Sequence, residues 1–147
     1  MFDGRKEHTV DTKGRVSVPE RFRTVFADED RQEVILSWSW SPGRLCIAAW
    51  TPSHWQDFLN KIANEPLSDE RIEYVHDIVL STKEVCPLDA NGRILIPQHL
   101  REFAGLSNRA LFVGRVKLFE IWDPERHSDL VKLHRKNSAI RLSSLGL

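Results

Sequence analysis

The sequence predicts a mixed α+β protein, mainly β, built from two similar halves. Three observations carry this. First, DTKGRVSVPERFR at positions 11–23 returns as DANGRILIPQHLR at 89–101, without a gap and 78 positions later. Asp11/Asp89, Gly14/Gly92, Arg15/Arg93, Pro19/Pro97 and Arg23/Arg101 are identical, and Val16/Ile94, Val18/Ile96 and Phe22/Leu100 keep their type. Second, the likeness runs on: each copy is followed by two strand-like runs, a tryptophan and a helix start. Third, 147 residues make one ordinary domain or two very small ones. A half of roughly 60 to 75 residues is marginal alone, so the halves must fuse, exchange elements or oligomerise.

Each half reads strand, turn, strand, short helix, strand, strand, helix. In D-x-x-G-R the aspartate accepts hydrogen bonds from its own turn, and the glycine supplies a positive φ. The chain then enters a short strand, Val16-Ser17-Val18 or Ile94-Leu95-Ile96, which Pro19 or Pro97 ends while starting a helix. Phe22, Val25 and Phe26, like Leu100, Phe103 and Ala104, fall at i, i+3 and i+4, so each short helix has one apolar face. Gly105 suits the residue just past a helix end. Next come EVILSW, a turn at SPG and RLCIAAW in the first half, and ALFV, a turn at Gly114-Arg115 and VKLFEIW in the second. Thr51-Pro52 and Asp123-Pro124 start the closing helices as N-cap and first-turn proline. Trp55, Phe58, Leu59, Ile62 and Ala63 form one stripe, and Pro66 closes that helix. Residues 68–80 read as a helix joining the halves. The predicted units are therefore 1–66, a linker helix at 67–81, and 82–147, whose basic, then small and polar end is expected to fray.

No apolar run approaches the roughly 20 residues needed to cross a bilayer, and the start, MFDGRKEH, is polar at once. These features predict a cytoplasmic protein away from the membrane. Cys46 and Cys86 show no metal spacing and read as buried, reduced thiols. The five tryptophans read as core or interface anchors. His8, His54, His76, His99, His127 and His134 lack paired ligand spacing, and no G-x-S-x-G elbow or glycine-rich phosphate loop occurs. No enzyme, metal site or cofactor is expected.

Net charge is zero but unevenly spread. Residues 1–26 carry six Lys/Arg against four Asp/Glu, residues 27–84 five against eleven, and residues 85–147 ten against six. The segments holding the repeat are thus basic, and it is the arrangement that sets the local field. Two readings of the motif stand side by side. Asp11–Arg15 and Asp89–Arg93 are either ion pairs that pin the turns, or arginines pre-oriented for nucleic acid. In the second reading Arg15 and Arg93 hold guanine or phosphate with their planar fork. Asp11 and Asp89 orient them, Gly14 and Gly92 shape the turn, and Lys13 adds a phosphate contact that Asn91 makes less well. Arg5, Lys6, Arg21 and Arg23 widen the basic face.

Two D-x-x-G-R-[VI]-x-[VI]-P motifs, each before a short amphipathic helix, resemble the AbrB-type swapped-hairpin fold. With MF-x-G and EHTVD at the start, the chain resembles the MraZ family of bacterial transcriptional regulators, from Met1 to about His134. That resemblance implies tandem SpoVT/AbrB-like, β-barrel-like halves with flanking helices. It also implies a homo-oligomeric ring, octameric or similar, associated with the nucleoid. The ring would bind double-stranded DNA at direct repeats upstream of its own operon, in the division and cell-wall gene cluster. The D-x-x-x-R signature for DNA contact falls on Asp11/Arg15 and Asp89/Arg93, and Lys13 fits the first copy. A self-assembling interaction protein without DNA readout is the alternative. RNA binding ranks lower, because an RNP-type aromatic strand and a GXXG loop are missing.

Overall fold

A computed structural model of the chain describes residues 1–137 and 142–147. The order anticipated for the first half appears as β1 (Arg5–Thr9), β2 (Arg15–Ser17), α1 (Glu20–Arg23), β3 (Glu33–Trp38), β4 (Ile47–Trp50) and α2 (Pro52–Ala63). The second half repeats it as β5 (Glu84–Pro87), β6 (Arg93–Leu95), α4 (Gln98–Ala104), β7 (Arg109–Arg115), β8 (Leu118–Trp122) and α5 (Pro124–Lys136). Between them, α3 (Glu70–Tyr74) runs into a π-helical turn over Val75–Leu80. The helix expected over 68–80 is thus present, capped by Asp69, but wound more widely in its second part. The first short helix likewise tightens into a 3₁₀ turn over Thr24–Asp28.

The halves are interleaved rather than stacked. One antiparallel sheet runs β1-β7-β8-β4-β3-β5, and β2 pairs with β6 in a separate two-stranded ribbon. Exchanging the two copies reverses this order onto itself. Each copy lends its first strand to the hairpin of the other: β1 lies on β7, and β5 on β3. The seam is the β4–β8 pair, with Ala48 opposite Glu120. Such exchange solves the problem of a marginal half-sized core, because the main cluster draws on both copies. It takes Val34, Leu36, Ile47 and Ala49 from one, and Phe112, Phe119, Ile121 and Ile94 from the other.

Both faces of the central strands β3, β4 and β8 are covered, which explains their continuous apolar runs. On one face, α1, α4 and the ribbon close the main core. The other face presents Ile35, Ala48, Trp50 and Leu118 to α2 and to Val79 of the π turn. The α2 stripe behaves as its spacing predicts for Trp55 and Phe58, which are buried, and for Leu59 and Ile62, which pack against them. Ala63, the last residue of α2, is exposed. Both helix caps form: Thr51 Oγ1 accepts from His54 N–H, and Asp123 Oδ2 from Arg126 N–H. Gly105 is left-handed at the end of α4. Cys46 and Cys86 are free and buried, and burial pushes the Cys86 thiol up to about 12.

Two expectations need correction. The second hairpin does not turn at Gly114-Arg115. Both residues remain in β7, and the chain reverses at Val116-Lys117, with Val116 at φ +67°. Gly114 is glycine for a different reason: the N-terminal segment crosses it, and a Cβ there would collide with the backbone of Phe2 and Asp3. That crossing seats Phe2, fully buried, against Phe22, Phe26 and Phe119, at centroid distances of 5.4, 6.1 and 5.1 Å. Gly114→Ala is therefore expected to cost about 1–3 kcal/mol through overpacking. Thermal denaturation checks this, and an unchanged midpoint would disprove the crowding. The second correction concerns the basic end, where residues 131–136 continue α5 instead of fraying. Residues 138–141 of that stretch lie outside the described residues.

Candidate nucleic-acid interface

The repeated motif builds two nearly identical tips. In the first, Asp11 Oδ1 accepts from the N–H groups of Lys13 and Arg15, each at 2.9 Å, and Asp11 Oδ2 accepts from Arg15 Nε at 2.8 Å. In the second, Asp89 Oδ1 accepts from Asn91 N–H at 2.8 Å and Arg93 N–H at 2.9 Å, and Asp89 Oδ2 from Arg93 Nε at 3.3 Å. Gly14 at φ +93° and Gly92 at φ +75° close the turns, each donating its N–H to the aspartate carbonyl. The two readings of the motif are thus compatible: the ion pair forms, and it leaves the rest of each guanidinium outward. Arg15 and Arg93 keep 42% and 38% of their side-chain surface, which is what a contact residue requires.

The carboxylates carry the mark of this geometry. The Arg15 backbone N–H, and then the Arg15 side chain, hold Asp11 down at about 2. Asp89 is lowered too, first by the Arg93 backbone N–H. Both therefore stay charged in mild acid. Because the first cause is the backbone, Arg15→Ala is expected to raise the Asp11 pKa only part of the way to its ordinary value. Carboxyl-detected NMR titration checks this, and full reversion would show that the turn itself collapses.

The tips are crossed. β2 and β6 pair with Arg15 opposite Leu95, Val16 opposite Ile94 and Ser17 opposite Arg93. Val18 N–H donates to the Gly92 carbonyl and Ile96 N–H to the Gly14 carbonyl, both at 2.9 Å. Strand alternation does the rest. Val16 and Ile94 point into the core at 1% exposure, so Arg15, Ser17, Arg93 and Leu95 must share the outward face of one ribbon. Lys13, Thr12 and Asn91 project from its ends as exposed turn residues.

Sequence reasoning placed Arg15, Arg93, Asp11, Asp89, Gly14, Gly92 and Lys13 at two tips, and the structure brings those tips together. It missed Arg101 and Leu95, and it placed Arg23 in the basic face without its contact to the other tip. Arg101 crosses to the first tip, where its Nε donates to the Ile96 carbonyl at 3.0 Å beside Gly14. Arg23 crosses to the second, and its guanidinium lies over Gly92. Their identity in the repeat was the available signal, masked by the usual solvation of helical arginines. Leu95, 54% exposed in a basic ribbon, carried no signal, because the alternation of a three-residue strand cannot be phased by itself. Of the other cations, Arg21 is tied to Asp3 at 2.9 Å, while Arg5 and Lys6 lie on exposed positions of β1. Among the described residues no group of three or more His, Cys, Asp or Glu could hold a metal ion. No helix there is long and apolar enough to cross a membrane.

Fold and site define a class of protein: two strand-exchanged copies of one hairpin-and-helix unit, presenting a cationic two-stranded ribbon. The family described as "MraZ protein, putative antitoxin-like" matches residues 1–76 and 79–143. A protein named transcriptional regulator MraZ from Roseiflexus sp. is 33% identical over 140 residues, covering 95% of this chain and 93% of the relative. One of the same name from Thermomicrobium roseum is 32% identical over 148 residues, covering 99% of both. A third, from Acidithiobacillus ferrooxidans, is 35% identical over 128 residues, covering 86% and 85%. The chain belongs to the MraZ family.

Proposed function

We propose that this protein is a transcriptional regulator that binds double-stranded DNA sequence-specifically through the β2–β6 ribbon. One observation carries the reading: Arg15 and Arg93 leave the same outward face of a two-stranded ribbon, each held in place by its own aspartate. The major groove admits such a ribbon, and a held guanidinium loses less entropy on meeting guanine O6 and N7 or a phosphate. Lys13 supplies a phosphate contact at the first tip. The names of the relatives agree with a regulatory role.

The reading extends to assembly. A single ribbon makes few contacts, so several on one homo-oligomeric ring, octameric or similar, would bind by avidity. Subunits related head to tail match direct repeats, here placed upstream of the chain's own operon in the division and cell-wall cluster. A cytoplasmic, nucleoid-associated protein follows. The strand exchange between copies favours a swapped-hairpin, barrel-like pair of units, 1–66 and 82–147, joined by the helix at 67–81.

Fluorescence anisotropy with the DNA directly upstream of this gene, against a scrambled duplex and over a salt series, tests the proposal. Tighter, salt-dependent binding of the upstream DNA is expected. Equal affinity for both duplexes, or none for either, would leave the ribbon as an assembly device and the protein as an interaction module.

A further inference from the structure

A cavity of about 470 Å³ opens on the flank of the ribbon, between β1 and the β2–α1 corner. Arg5, Lys6, His8, Ser17 and Arg23 line it. Among the described residues, Arg5, Lys6 and Arg23 have no carboxylate within ion-pair distance, unlike Arg21 at the rim, which is bound to Asp3. Glu20 is the single acidic residue of the lining. Two of the lining side chains also carry buried nitrogens without a hydrogen-bond partner among the described residues, His8 Nε2 and Arg23 Nε. Native structures rarely leave such groups unpaired without a ligand or other explanation. Burial, and then the charges of Lys6 and Arg23, lower the His8 pKa, so the enclosure is electropositive around that ring.

The second copy is an internal control. At the aligned positions Lys6 becomes Glu84, His8 becomes Cys86, Ser17 becomes Leu95 and Arg21 becomes His99. There Glu84 Oε1 and His99 Nε2 meet at 2.8 Å, and Arg101 Nε, the counterpart of the unpaired Arg23 Nε, is satisfied by the Ile96 carbonyl. The same fold unit can therefore close this corner with its own side chains. In the first copy it leaves the charges unanswered.

We infer that the cavity beside β1 is a binding site for a phosphoryl anion. Lys6 and Arg23 neutralise its charge, Arg5 adds positive field from the neighbouring position of β1, and the Ser17 hydroxyl and His8 imidazole donate to its oxygens. Guanidinium forks and ammonium groups are the usual phosphate partners, and hydroxyls add to them. The volume admits the group with several waters, each occupying about 30 Å³. Two sources supply this chemistry. One is a backbone phosphate of DNA lying on the adjoining ribbon, which rests on the regulator reading above. The other is a phosphate-bearing small molecule, which does not.

The test uses the full chain, the double variant Arg5→Gln/Lys6→Gln at exposed positions, and Arg23→Gln. The control, Lys83→Gln/Lys117→Gln, removes the same charge elsewhere. Calorimetry with inorganic pyrophosphate in chloride buffer is paired with DNA anisotropy over a salt series. A DNA source lowers the slope of log affinity against log salt by about one to two in Arg5→Gln/Lys6→Gln but not in the control. It also weakens upstream and scrambled duplexes by the same factor. A free-ligand source gives saturable pyrophosphate binding, at least tenfold weaker in the variant, with the salt slope unchanged. Equal slopes together with no saturable pyrophosphate heat would overturn the site. If the wild type binds no DNA, the regulator reading fails alone, and the pyrophosphate titration still decides the cavity: saturation supports it and no heat overturns it. Arg23→Gln should follow the double variant if folded, and the surface pair decides if it is not.

Discussion

Replacing both tip arginines, Arg15→Ala/Arg93→Ala, is expected to abolish sequence-specific DNA binding while leaving the fold intact. Each guanidinium stands on the outward face of the ribbon, and its loss exposes no core. A bidentate arginine–guanine contact is worth about 1–3 kcal/mol of discrimination. The two sites differ in partners, so losses should roughly add, giving a fall of about 30-fold or more. The single variants should share the loss unequally, because Lys13 reinforces the first tip and Asn91 does little for the second. Anisotropy on the upstream duplex measures the loss, and circular dichroism with sedimentation confirms equal folding and assembly. Retained affinity in the double variant would remove these arginines from DNA reading. Asp11→Ala is a poorer probe, since it deletes two acceptor bonds of the turn together with the arginine's anchor.

The largest expected loss of stability lies far from the ribbon. Glu120, 3% exposed on β8, accepts from Arg44 Nε at 3.1 Å and Arg44 Nη2 at 2.7 Å, and from Trp122 Nε1 at 3.0 Å. Arg44 belongs to the loop between β3 and β4, so this fork ties one copy to the other at the β4–β8 seam. Glu120→Ala strands a guanidinium that is 15% exposed and leaves a buried indole N–H without its acceptor. Breaking a buried pair on one side costs about 3–5 kcal/mol, a large part of the roughly 5–15 kcal/mol that holds a domain together. The melting temperature should fall by roughly 10–20 °C. A fall of less than a few degrees would show that the seam stands without the pair.

The same pair sets an acid dependence. Burial by itself pushes the Glu120 carboxyl up, but the Arg44 fork, the Trp122 indole and the charges of Arg44 and Arg115 outweigh it, so its pKa lies below the ordinary value. A carboxyl lowered by folding stabilises fully above its unfolded pKa and loses that contribution as pH falls through the folded one. Wild-type stability should therefore drop as pH falls below roughly 4.5. Glu120→Gln should flatten that part of the curve, and chemical denaturation at a series of pH values reads it directly.

Local chemistry made much of this protein legible in one dimension. The repeat, the Asp–Gly–Arg turns, the proline-initiated helices and the α2 stripe depend on neighbours within a few residues. Turn hydrogen bonds, caps and amphipathic spacing act at that range. Arg15 and Arg93 were legible for the same reason, because the aspartate that holds each one lies four positions away.

What remained hidden depends on contacts between distant segments. Gly114 reads as a turn until Phe2 and Asp3 cross it. Nothing in LFEIW singles out Glu120 until Arg44, 76 positions away, arrives beside it. Arg23 reads as one cation of a basic face, and Arg101 only as its repeated counterpart, until each reaches the other copy's tip. The sequence by itself determined that the chain would make the same unit twice, with an oriented arginine on each. Only the tertiary structure decided that the units would exchange strands and lay both arginines on one ribbon. The reason is burial: a half-sized core is marginal alone, and the exchange that closes a shared core also pairs β2 with β6.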